Sequence, residues 1–227
     1  MELCFPWDTD PCGETRLPPT DSPGSKRPGR RPAARQIPAA AAPDWLYHHL
    51  TIHGPAGRVA AFAEAARGAG IIPWRRDFAL LEEDIFNLAA AQPPERRSLS
   101  IDGCRILARQ FRDQAEAWHA RALARVGRSR ACPFDLYALL PVPPAILLLG
   151  PTHPEALAWL AMNWGTTDGL RHAAVRPGAS TGRRLPAGHT VIGYGFFTFG
   201  ETPHAAIASL AERWPELRFR LQPRPPD

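Results

Sequence analysis

Trp159-Leu160-Ala161-Met162-Asn163-Trp164-Gly165-Thr166-Thr167-Asp168, then Gly193-Tyr194-Gly195-Phe196-Phe197-Thr198-Phe199-Gly200, then Pro203 to Leu221, decide the fold of this chain. The first piece reads as a helix that Pro154 opens at its first position and Gly165 stops. The second belongs to a strand spanning His189 to Phe199. The third opens a helix at Pro203 that buries Ile207, Leu210, Ala211 and Trp214. Pro215 stops that helix, and Leu217, Phe219 and Leu221 then alternate as one face of a closing strand.

Working outward, a strand near Leu170 to Arg176 and a glycine-rich turn from Gly178 to Gly188 link the first two pieces. Far upstream, Trp45, Tyr47, His49, Thr51 and His53 alternate with Leu46, His48, Leu50 and Ile52, which predicts an opening strand ended by Gly54-Pro55. Ala56 to Ala69 then sets Val59, Phe62, Ala63 and Ala66 on one helical face, with Gly68 and Gly70 as the stop. The order strand, helix, strand, strand, helix, strand predicts an α+β fold, the ferredoxin-like split β-α-β plait.

Between Asp77 and Val126 the periodicity is wholly helical. Phe78, Leu81, Ile85 and Leu88 form one stripe; Cys104, Leu107, Phe111, Ala115, Trp118, Ala122 and Val126 form a longer one, with Pro93-Pro94 between them. The expectation is a helical insertion at about 77–126, packed on the main domain. Phe134 to Pro143 is expected to return the chain to the sheet. Residues 1–43, rich in proline, glycine, serine and charge without apolar periodicity, read as a disordered Pro/Arg-rich leader. The ferredoxin-like domain is expected over 44–222, and 223–227 as a disordered tail.

The 227 residues include 26 prolines, and 44% of the chain is hydrophobic, an ordinary fraction for a globular protein. The net charge of +5 rests almost wholly on arginine, Lys26 being the sole lysine, a bias of the kind a GC-rich bacterial genome imposes. Such a balance permits anionic partners without demanding them, because phosphate binding needs clustered charge. Lys26, Arg27, Arg30, Arg31 and Arg35 are such a cluster, read either as a solvated linker or as a nucleic-acid arm. Cys4, Cys12, Cys104 and Cys132 lack the spacing of a zinc site or a disulfide framework, so neither a metal nor a cofactor is expected. No basic segment followed by an apolar run opens the chain. The most apolar window, Leu139 to Leu149, is short and broken by Pro141, Pro143 and Pro144, so a cytoplasmic protein with no membrane partner is expected.

Three elements carry a resemblance: Asn163-Trp164-Gly165-Thr166-Thr167-Asp168, Phe197-Thr198-Phe199 before Thr202-Pro203, and Trp214-Pro215-Glu216-Leu217-Arg218-Phe219. Together they resemble the YubB-type ferredoxin-like domain family of plasmid- and phage-borne proteins. Leu140-Pro141-Val142-Pro143 and the opening strand with Gly54 are similar as well. The chain departs from the family in having Thr167 where a lysine is usual and in lacking the second tryptophan, Asp168 following at once. The resemblance runs over roughly residues 44 to 221, the helical insertion excepted. It implies a fold, a mobile-element setting, and structural roles for Trp159, Asn163, Trp164, Gly165, Thr166, Asp168, Thr198, Pro203 and Trp214. It implies no reaction, since the family's function is uncharacterised.

Gly193 to Phe199 also approximates the RNA-recognition signature R/K-G-F/Y-G/A-F-V-x-F/Y, on the third strand where that signature belongs. Ile192 replaces the basic residue and Phe197 a smaller aliphatic. Tyr194 and Phe196 share one strand face, and with Arg176, Arg183 and Arg184 they form a candidate single-stranded nucleic-acid site. The opposing expectation is that the insertion seals that face. His48, His49 and His53 form a local cluster without a fourth ligand in sight. The Gly178 to Arg184 loop is either a flexible turn or an anion cup without P-loop spacing. Arg105, Arg109, Arg112, Arg121 and Arg125 on the longer helix read as a solvated face or as phosphate contacts.

Asp168, His172, Glu201 and His204 are the polar residues nearest the motifs, and no nucleophile elbow or paired-carboxylate signature accompanies them, so no catalytic residue is assigned. The expected function is a non-catalytic binding or accessory module of mobile-element type, whose partner is unassigned between a protein and a single strand of nucleic acid; single-stranded nucleic-acid binding through the penultimate strand and an enzyme of unassigned chemistry are the alternatives.

Overall fold

A computed structural model describes residues 45–182 and 184–224. Contacts divide the chain into two units, Met1–Ala40 and Ala41–Asp227, and every described residue falls in the second. The expected leader, with its basic run, lies outside the described residues.

The element order is β1 (Trp45–Pro55), α1 (Ala56–Ala65), α2 (Phe78–Ala90), α3 (Ile101–Leu123), α4 (Leu136–Leu139), α5 (Pro144–Leu149), α6 (Pro154–Trp164), β2 (Arg171–Val175), β3 (His189–Phe199), α7 (His204–Arg213) and β4 (Arg218–Arg224). The fold is α+β, with one four-stranded sheet in the order β2-β3-β1-β4 and every neighbouring pair antiparallel. The long central pair runs in register from Trp45 opposite Phe199 to Pro55 opposite His189.

Side chains alternate across a strand, so this register sorts the residues onto two faces. The inner face carries Leu50 and Ile52 from β1 and Tyr194 and Phe196 from β3, all buried. Val59 and Phe62 of α1, Leu160 and Trp164 of α6, and Leu210 of α7 complete the same core. Phe134 lies over the sheet's aromatics, its ring 5.0 Å from that of Tyr194 and 5.5 Å from that of Phe196. Burying rings of this size contributes about 1.5–3 kcal/mol each, so the inner face is the fold's main stabilising surface.

Sequence marks and structure agree closely around α6. Gly165 ends that helix in the left-handed region at φ 74°, where a Cβ would stand 3.1 Å from the backbone nitrogens of His204 and Ala205. Trp164 is buried, and its Nε1–H donates to the Leu140 carbonyl at 3.2 Å. Asn163 donates to the Trp159 carbonyl, Trp159 packs edge-on against Trp164, and Thr166 is buried. Trp214 packs edge-on against Phe62 beneath the Arg58 guanidinium, and Pro203 stands immediately before α7.

Three expectations need correction. Phe134 to Pro143 does not join the sheet: it forms α4, which Asp135 caps by accepting from the Tyr137 N–H at 2.9 Å. The same carboxylate accepts from the Gly70 N–H, tying the segment to the exit of α1, while prolines at 141 and 143 have no N–H to offer a ladder. The 77–126 helices do not seal the sheet. α2 and α3 pack mainly on each other, the buried residues of α3 are Cys104 and Ala108, and Leu88, Phe111 and Trp118 are 78%, 50% and 52% exposed. Finally, the expected tail begins too early, because β4 continues to Arg224; residues 225–227 lie outside the described residues.

Candidate functional site

The inner face leaves no room for a ligand at Tyr194 or Phe196. Both are buried, and Tyr194's hydroxyl pKa is pushed up to about 12, chiefly by that burial. Base stacking through these two residues is therefore corrected. The signature falls on β3, but its Tyr194 and Phe196 point into the core, and on a strand a displacement of one residue exchanges the faces.

On the outer face, Trp45 and Tyr47 of β1 stand directly opposite Phe199 and Phe197 of β3. The Tyr47 and Phe197 rings lie 4.7 Å apart and tilted by 37°, and the Trp45 and Phe199 rings lie 5.3 Å apart. Trp45 is 45% exposed, and the other three are partly exposed. Alternating with the core aromatics, Gly193 and Gly195 sit at the centre of this face and are covered by their neighbours. A Cβ on Gly195 would collide with the Tyr47 hydroxyl, and one on Gly193 with Ala179, so the glycines let the side chains of Tyr47 and Ala179 lie across the strand.

The flanks of this face are basic. On β4, Arg218 and Arg220 pair directly with His53 and Thr51 of β1 and are exposed. On β2, Arg171 stands opposite Phe197 and bonds the Asp168 carboxylate at 2.7 Å. The side chain of Arg176 lies against Gly195, and its backbone N–H donates to the Gly193 carbonyl. Two depressions result, one at each end of the sheet. The first, about 710 Å³, is aromatic and lined by Trp45, Phe197, Phe199, Arg171, His172 and Asp168. The second, about 650 Å³, is basic and includes Thr51, His53, Arg184, His189, Arg218 and Arg220.

Of the predicted site residues, Arg176 and Arg184 thus fall on the outer face, and Arg183 lies outside the described residues. Thr198 is buried on the inner face, bonding His48 and the Glu201 carbonyl. His49 and His53 share the outer face as expected, whereas His48 is in the core, and among the described residues no group of three potential metal ligands forms. Asp168 and His172 line the aromatic depression, but Glu201 and His204 do not. Sequence reasoning missed Tyr47, Phe197, Phe199, Arg218 and Arg220. The signals were present: the arginines alternate with Phe219 and Leu221, and glycine alternation in β3 marks the face that needs no core filling.

No protein-family model and no curated protein matches the chain. Among solved structures it is similar to the crystal structure of the protein api92 from Yersinia pseudotuberculosis, of the DUF1281 family. The identity is 15%, over 82% of this chain and 91% of that one, with a TM-score of 0.44.

Proposed function

We propose that this chain is a non-catalytic binding module of ferredoxin-like topology and YubB type, from a mobile-element setting, and that it binds single-stranded nucleic acid on the outer face of its sheet. The topology is supported by the strand order β2-β3-β1-β4 with antiparallel neighbours throughout. The ligand class rests on one observation: two cross-strand aromatic pairs, Tyr47 with Phe197 and Trp45 with Phe199, lie on a surface flanked by Arg171, Arg176, Arg218 and Arg220. Flat aromatic rings accept the π-face of any base, and plait sheets that bind RNA stack two or three bases this way while arginines hold the backbone.

A duplex hides its base faces, so discrimination between strands is the direct test. Fluorescence anisotropy with labelled oligonucleotides is expected to show micromolar or tighter binding to single strands, weaker binding to the matching duplex, and an affinity that falls as salt rises. Equal binding to duplex, or none to either, contradicts the proposal. A second reading, a protein ligand, is favoured by the exposed Leu88, Phe111 and Trp118 of the α2–α3 hairpin; it predicts no oligonucleotide binding at all.

A further inference from the structure

The basic depression differs in kind from the aromatic one. Its arginines come from two separate elements, Arg218 and Arg220 from β4 and Arg184 from the loop before β3. Among the described residues none of the three has an ion-pair partner, whereas the carboxylate that shares the cleft, Glu216, is paired with Arg58. The cleft therefore carries three uncompensated positive charges, with His53, His189 and the Thr51 hydroxyl as further polar groups at its wall.

Like charges gathered without counter-charge raise the energy of the free protein, and an anion that several guanidinium groups can reach at once relieves this repulsion. The cleft also lies at the end of the sheet. From Trp45 to His53 the chain advances eight strand residues, about 26 Å, so a strand laid over the aromatics reaches the cleft within a few nucleotides. Leu185, Pro186 and Pro215 wall it there.

We infer that this cleft is a phosphate subsite, and that it takes the terminal phosphomonoester of a single strand whose bases lie on Tyr47 and Phe197. A monoester carries up to two negative charges and offers three terminal oxygens, which suits three arginines better than the single charge of an internal diester. The inference rests on the nucleic-acid reading for its ligand, but the phosphate chemistry of the cleft is testable separately.

The experiment compares four probes on the full chain: inorganic phosphate and a nucleoside monophosphate by calorimetry, and one oligonucleotide with either a phosphate or a hydroxyl at its terminus by anisotropy. Each end of the oligonucleotide is phosphorylated in turn. Phosphate at one end is expected to tighten binding at least about fivefold, and Arg218→Gln/Arg220→Gln, which weakens both strands by removing backbone contacts, is expected to erase that increment so that phosphate- and hydroxyl-ended strands bind it equally. Arg184→Gln, on a different element, is expected to reduce the increment as well. Arg125→Gln/Arg128→Gln, which removes the same charge elsewhere, leaves it intact.

Oligonucleotide binding that is indifferent to terminal phosphate, or an increment that survives in Arg218→Gln/Arg220→Gln, overturns the subsite and leaves the nucleic-acid reading standing. Monophosphate binding lost in that variant, with no oligonucleotide bound, supports a phosphate site and overturns the nucleic-acid reading. Binding of none of the four probes overturns both.

Discussion

His48 shows how one residue couples a strand to stability. It is buried on the inner face with its Nε2 2.6 Å from the Thr198 hydroxyl, whose own proton goes to the Glu201 carbonyl at 2.6 Å. Thr198 must therefore accept, which puts a proton on the His48 Nε2. Burial, reinforced by nearby His204, pushes its pKa down to about 4 from an ordinary 6.5. Below pH 6.5 the unfolded chain takes up a proton that the folded chain refuses until about pH 4. Stability is thus complete above the unfolded pKa and is lost as pH falls through that window, by on the order of 3 kcal/mol. Urea titrations between pH 7 and pH 4 should show this loss, and His48→Gln should flatten it; an equal pH slope in the two proteins would remove His48 as its origin.

Among the elements, α6 is the most legible from sequence because its signals are local. Pro154 at its start, Trp164 at its core end and Gly165 at its left-handed stop each act through neighbouring backbone. Gly165→Ala should cost roughly 1–2 kcal/mol in unfolding free energy, from strain at positive φ and from crowding against α7. A variant as stable as the parent would show that this junction yields more easily than its spacing implies. Strand β3 was legible in its bounds but not in its orientation: aromatics occupy both faces, so the sequence pattern names a strand without saying which face the helices cover. The cover itself, Phe134, comes from a segment whose Leu-Pro alternation resembles a strand, and the long-range ties of Asp135 to Gly70 and Ala66 and of Cys132 to Gly68 make it a plug. The α2–α3 hairpin was legible as helix but not as a pair packed mainly on itself, since periodicity shows that a helix has an apolar stripe and not what the stripe meets.

For the domain as a whole, the division of the sheet into a packed inner face and a charged aromatic outer face is the central result. It moves the candidate site from Tyr194 and Phe196 to Phe197, one residue along β3, and to Tyr47 opposite it on β1. The arginines on β2, β4 and the intervening loop gain meaning only once register places them beside those rings, a long-range fact that spacing along the chain does not encode. The most direct measurement is anisotropy of a labelled single-stranded oligonucleotide against the parent chain and Tyr47→Ala/Phe197→Ala, with circular dichroism to confirm folding. Loss of two stacking platforms, each contributing about 1–3 kcal/mol, predicts affinity at least tenfold weaker with the fold intact. Unchanged affinity in the folded double variant would contradict the outer face as the binding surface.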